Sequence, residues 1–105
     1  MDNSKLTELL NKVITASNNK KLDWEKNTKT ETSFKALLGK NTLHILRTGS
    51  STYFIIVNEA GDQIGSLSGV LYASSLNNLY EIAKKKALRI DESLDEINSM
   101  LDSII

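Results

Sequence analysis

The sequence predicts an α+β fold: an N-terminal helix, an antiparallel β-meander of about five strands, and two C-terminal helices packed on the sheet. Apolar residues recur at helical spacing over 4–17 and 76–104, whereas between these ranges they alternate or form short runs. Gly-containing turns separate the middle segments, which is typical of a meander. We expect residues 1–105 to form a single domain.

The first predicted helix covers residues 4–17. Ser4 is a candidate N-cap, and "NNKK" at 18–21 is a typical stop, in which Asn takes a left-handed turn. The apolar positions share one helical face. They are Leu6, Leu9, Leu10, Val13 and Ile14.

Five segments predict the strands, and turn-forming stretches separate most of them. The strand segments are "LDWEKN", "SFKALLG", "TLHILR", "YFIIV" and "QIGSL". "TKTET" at 28–32 is predicted to be a loop, "TGSS" to be a hairpin turn with Gly49 at positive φ, and "NEAGD" to be another turn.

Two helical stripes follow the strands. We expect the first helix to open at Ser74 or Ser75 and the second at Asp91. The first stripe comprises Leu76, Leu79, Tyr80, Ala83 and Ala87, and the second comprises Leu94, Ile97, Met100, Leu101 and Ile104. The residues expected to pack on the sheet are Leu9, Leu10, Val13, Leu79, Tyr80, Leu94 and Ile97.

The segment "YFIIV" does not alternate, so both faces of that strand are apolar. One reading is a central strand with cover on both faces. The other, which we favour, is that Phe54, Ile56 and Leu46 form an exposed apolar face, and therefore an interface with a partner or with a second copy in a homodimer.

Composition excludes several classes of site. The 13 Lys and Arg balance the 13 Asp and Glu, and this lack of basic excess argues against nucleic acid as a partner. There is no Cys, so disulfides and thiolate metal sites are impossible, and a reducing cytoplasm fits. No apolar run is long enough to span a membrane, and the start "MDNSKLTELL" does not resemble a secretion signal.

Few residues suggest chemistry. His44 is the single histidine, and no Ser–His–Asp order or Glu-x-x-His spacing accompanies it. Asp23 and Glu25 are more typical of a solvated strand face than of an acid–base pair. Trp24 shares its phase with Leu22, which favours the core. A ligand or partner contact at Trp24 or His44 stays open.

The single basic run is a candidate anion patch, formed by Lys84, Lys85, Lys86 and Arg89. "DESLDE" follows directly, so basic residues at a helix end and acidic ones at a helix start also explain it. The glycines do not form a phosphate-binding loop. We predict no catalytic residues, no cofactor and no metal.

The segments "LDWE", "GDQIGSL" and "LNNLYEIAKKKALRIDESLDEI" resemble a loose group of small uncharacterised proteins of low-GC Gram-positive bacteria and their phages. The resemblance covers nearly the whole chain, but its residues are packing residues. It implies an accessory or phage-related binding protein and carries over no site residues.

The functional hypothesis is therefore a non-enzymatic binding or assembly protein of bacterial or phage origin that acts through protein–protein contacts. The alternative is a small-molecule or nucleotide-binding protein with a pocket between the sheet and the helices, lined by groups such as His44, Tyr53 or Tyr72.

Overall fold

A computed structural model describes residues 4–27 and 32–105, and it confirms the α+β class. The predicted loop at 28–32 lies mostly outside these residues. The helices are α1 (Ser4–Asn18), α2 (Ala73–Ala87) and α3 (Ile90–Ile104), and a short 3-10 helix, Val70–Tyr72, precedes α2. The strands are β1 (Glu25–Lys26), β2 (Ser33–Leu38), β3 (Asn41–Thr48), β4 (Ser51–Val57) and β5 (Gln63–Leu67).

The five strands form one antiparallel sheet in the order β1-β2-β3-β4-β5, as expected for a meander. Gly49 has φ 61° in the turn between β3 and β4, where a side chain would be strained. This turn pairs Thr48 with Ser51, and from there Leu46 with Tyr53 and Ile45 with Phe54. The register decides which residues share a face, because residues directly opposite each other in a sheet point the same way.

Helices α1 and α2 cover one face of the sheet, and the core lies between these helices and that face. From the sheet, the buried apolar side chains are Phe34, Ala36, Leu43, Ile45, Phe54, Ile56 and Leu67. From the helices, they are Leu10, Val13, Leu76, Leu79, Tyr80 and Ala83. The predicted stripe of α2 is confirmed, because the apolar spacing places these residues on one side of the helix.

Helix α1 approaches the sheet closely at β5. A Cβ atom at Gly65 would lie 2.8 Å from Cδ2 of Leu6, closer than real Cβ contacts. Gly65 pairs with Ile56 across the ladder, so α1 lies over the same face as α2. The opposite face receives neither of these two helices.

The helix ends differ from the expectation. The left-handed residue after α1 is Lys20, with φ 59°, rather than one of the Asn residues before it. The residue that precedes α3 is Arg89, also left-handed at φ 53°, rather than Asp91. The helix starts one residue before the predicted cap, because the chain turns directly at Arg89 after α2.

Helix α3 does not pack on the sheet, so the expected burial of Leu94 and Ile97 is wrong. Their exposed fractions are 54% and 52%. The described chain measures 60 × 29 × 25 Å, and its radius of gyration is 15.6 Å. A compact domain of this length has a radius of about 13 Å. The helix therefore extends away from the rest of the fold.

Candidate interaction surfaces

The face of the sheet opposite the helices, which we call the open face, carries an apolar surface. On β3 and β4 its residues alternate with buried residues of the same strand. Its apolar side chains are Leu37, Leu46, Tyr53, Ile55, Val57 and Ile64. Leu37 is 71% exposed and Ile64 is 57% exposed, whereas the others are half-buried by their neighbours.

The expected interface of Leu46, Phe54 and Ile56 is wrong as a group. Phe54 is 0% exposed and Ile56 is 5% exposed, so both lie in the core beneath the helices. Leu46 lies on the open face, opposite Tyr53 in the ladder. The two-residue turn at Gly49 and Ser50 could have revealed this, because it pairs Thr48 with Ser51 and so places Leu46 beside Tyr53.

His44 lies on the open face, between Lys35 of β2 and Ile55 of β4. Burial, and secondarily the nearby Lys35 ammonium, lowers the pKa of His44 below its ordinary value. Lys35 itself is paired with Glu25, at 3.8 Å between Nζ and Oε1. The lowered pKa favours the neutral imidazole at pH 7. Its neighbours across the ladder, Lys35 and Ile55, supply no carboxylate that would orient His44 as a general base.

Trp24 lies in the core, as its phase with Leu22 predicts, because the two are 3% and 7% exposed. Its indole Nε1–H donates a hydrogen bond to the Ser17 hydroxyl at 2.9 Å, and that hydroxyl donates to the Val13 carbonyl at 2.7 Å. The polar edge of the ring is thus satisfied inside the protein. The ring itself offers almost no accessible surface to a ligand.

The basic residues at the end of α2 line a cleft with the end of α1. The cleft has a volume of about 320 Å³. Its basic residues are Lys20, Lys85, Lys86 and Arg89, and its acidic residue is Glu92. Of the predicted anion patch, the structure therefore brings together all but Lys84, and it adds Lys20, which no local pattern connects with α2.

Ion pairs and helix ends reduce the positive potential of this cleft. Lys86 pairs with Asp23 at 3.8 Å, and Arg89 pairs with Glu92 at 3.9 Å. The carboxyl ends of α1 and α2 also lie here, and basic side chains stabilise such ends. The geometry thus supports the explanation that these basic residues stabilise helix ends and pair with nearby acidic residues.

An interaction network that the sequence did not indicate joins α2 to the hairpin of β3 and β4. Asn77 Oδ1 accepts hydrogen bonds from the Thr52 hydroxyl at 2.6 Å and from Arg47 Nη2 at 3.1 Å. The Arg47 guanidinium lies 3.9 Å from the centre of the Tyr80 ring and pairs with Glu81 at 3.8 Å. These partners are 25 or more residues apart, so no short-range pattern identifies them.

Helix α3 presents the largest group of exposed apolar side chains. They recur at spacings of three and four, as in a heptad, and form a single stripe. Leu94, Ile97, Met100, Leu101 and Ile104 are all at least half exposed. We call this surface the α3 stripe. A smaller exposed pair, Val70 and Leu71, lies on the 3-10 helix.

Within residues 4–27 and 32–105, no group of three or more His, Asp or Glu side chains is arranged to hold a metal ion. In the same part of the chain, no helix combines the length and apolar character needed to cross a bilayer. Comparison with protein-family models, with curated proteins and with solved structures found no match for this chain.

Proposed function

We propose that this chain is a non-enzymatic binding or assembly protein of bacterial or phage origin, acting in the cytoplasm through protein–protein contacts. The observation that carries the proposal is the α3 stripe. A helix of 15 residues presents a continuous apolar face, and no other element in the described part of the chain covers its apolar side chains. Contiguous apolar surface on a protein in water is typical of interaction sites.

The energetics of the stripe support this proposal. Full burial of a Leu, Ile or Met side chain is worth roughly 1.5–3 kcal/mol. Because the side chains of the stripe are at least half exposed, a partner would recover a substantial part of that amount at each position. An isolated helix of this length is marginal in water, so α3 also gains stability from a partner.

The experiment places a photo-crosslinking side chain at Leu101, within the stripe, and separately at Ser99, on the outer face of the same helix. The protein is irradiated in the cells that produce it. We expect a protein adduct from position 101 and none from position 99, whatever the identity of the partner. Equal labelling at both positions, or none at either, would contradict the proposal.

A second candidate function is binding of an anionic small molecule or nucleotide, and the cleft beside Arg89 favours it. Four cations from two segments line this cleft, which lies outside the space between sheet and helices. Thermal unfolding with phosphate or with ATP tests it, because a ligand that binds the folded state raises the melting temperature. The control is Lys85→Glu, in which we expect phosphate or ATP to leave the melting temperature unchanged. Absence of any shift in the wild type would remove this candidate.

A further inference from the structure

Among residues 4–27 and 32–105, two apolar surfaces lack cover, and they match in length. Helix α3 has 15 residues, a length of roughly 22 Å. Strand β4 has seven residues, and thus spans about 24 Å along the open face. One helix laid along the sheet would cover the central strands, where Leu46, Tyr53 and Ile55 lie. An interface between the two would bury both surfaces at once.

Charge favours the body of a second copy as the partner of α3. The helix contains five of the 13 acidic residues and none of the 13 Lys and Arg. The rest of the chain therefore has 13 basic and eight acidic residues, an excess of five positive charges. Contact between α3 and the body of another copy brings opposite charges together, whereas α3 against α3 brings like charges together.

The open face itself is nearly neutral, so its match with α3 is apolar rather than ionic. Lys35 lies on β2 beside His44 of β3, and it pairs at 3.8 Å with Glu25, the acidic residue in the same row. On α3, Asp95 and Asp102 lie on the side of the helix that faces away from the stripe, as Ser99 does, because each residue advances about 100° around the helix axis. A helix placed on the open face would thus contact the strands with its apolar side chains and leave these two carboxylates in solvent.

The connection to α2 keeps α3 away from its own open face. Only Leu88 and Arg89 separate the two helices, and α2 lies on the covered side of the sheet. From this short connection α3 extends outward along the 60 Å dimension.

We propose that α3 of one copy packs on the open face of a second copy, and that the second copy's α3 packs reciprocally on the first. This arrangement forms a closed twofold dimer in which every stripe and every open face is covered. The inference rests on the proposed function and adds the identity of the partner.

The first test measures molar mass by light scattering after gel filtration. We expect a dimer for the wild type and for Ser99→Asp, which adds a charge on the outer face. We expect a monomer for Leu101→Asp, which adds the same charge within the stripe. Leu101 is 50% exposed, so this change does not disturb the core, and circular dichroism checks that the helices remain. A wild type that is monomeric at high concentration would overturn the inference.

The second test identifies which surfaces meet. The chain has no Cys, so single cysteines can be introduced at Ile97 and at Ile55 in separate proteins of different mass. A short bis-maleimide is added to each protein alone and to their mixture. We expect the crosslink between the two different proteins to dominate. Dominant crosslinks within the Ile97→Cys sample would indicate that α3 pairs with α3. Dominant crosslinks within the Ile55→Cys sample would indicate that the two sheets pair. Either result would overturn the inference.

These outcomes separate the two proposals. A monomeric wild type that still gives a position-specific adduct at Leu101 with a different protein rejects the second copy and retains the protein–protein function. The absence of any adduct at Leu101 in cells, together with a monomeric wild type, rejects both.

Discussion

The Trp24 indole and the Ser17 hydroxyl form a buried hydrogen bond of 2.9 Å that connects the segment before β1 to the last turn of α1. The hydroxyl completes the arrangement by donating to the Val13 carbonyl. Seven residues separate the two side chains, and between them the chain passes through the left-handed turn at Lys20. The bond therefore fixes how the chain leaves α1 and enters the sheet.

Replacing Ser17 with Ala should destabilise the protein by about 1–3 kcal/mol, because the buried indole N–H would lose its acceptor. Urea unfolding followed by circular dichroism measures the change. Trp24→Phe is the companion variant, since it removes the donor. The effects should be non-additive in the double variant; simple additivity would mean that the two side chains do not depend on each other.

Replacing Leu79 with Ala should cost about 2–5 kcal/mol, because Leu79 is fully buried between α2 and the sheet. The matched control is Leu94→Ala in α3, which should change the free energy of unfolding by less than about 0.5 kcal/mol in dilute protein. Denaturant unfolding of both variants gives the comparison. Similar values for the two would mean that α3 contributes to the core after all.

Replacing Asn77 with Ala should destabilise the protein by about 1–3 kcal/mol. The Thr52 hydroxyl is almost fully buried, and it would lose the acceptor that it shares with Arg47. Asn78→Ala, on the exposed side of the same helix, is the control. Thermal unfolding at neutral pH is the measurement, and equal melting temperatures for the two variants would contradict a role for the network.

The pKa of His44 should rise when Lys35 is replaced by Gln. The Lys35 charge, which lowers this pKa, is then removed, while the larger effect of burial remains. As the only histidine, its ring proton gives one titrating NMR signal. An unchanged pKa would show that the Lys35 charge does not reach the imidazole.

The lowered pKa also predicts how stability depends on pH. Folding favours the neutral imidazole, so the contribution of His44 is complete above the ordinary value of 6.5 and is lost as the pH falls through the folded value. His44→Gln should reduce the part of the acid destabilisation that occurs in this range. Stability curves that coincide for both proteins would contradict this assignment.

The sequence predicted the elements well where packing follows from periodicity. The stripe of Leu76, Leu79 and Tyr80 is buried because a helix with one apolar face lies on a sheet with one covered face. Periodicity alone does not state which surface covers a stripe. The residues of α3 have the same pattern as those of α2, yet they remain exposed, because the chain turns outward at Arg89.

The candidate surfaces depended on relationships that the sequence shows only indirectly. Leu46 and Phe54 belong to different faces because of the register of one hairpin, a difference of one residue. The cleft that contains Lys20 and Lys85 requires that the ends of α1 and α2 meet, which is a property of the tertiary fold.

Helix α3 starts directly after the left-handed residue Arg89, so the number of residues between Arg89 and the stripe sets the direction in which the stripe points. Each residue of a helix advances the side chains by about 100° around its axis. One residue inserted between Arg89 and Leu94 would turn the stripe away from its present direction by about 100° and bring the side of the helix that carries Glu96 toward that direction. Substitutions among the outer positions leave the direction unchanged. Evolutionary change in this segment should therefore tolerate new side chains far better than a gain or loss of a single residue.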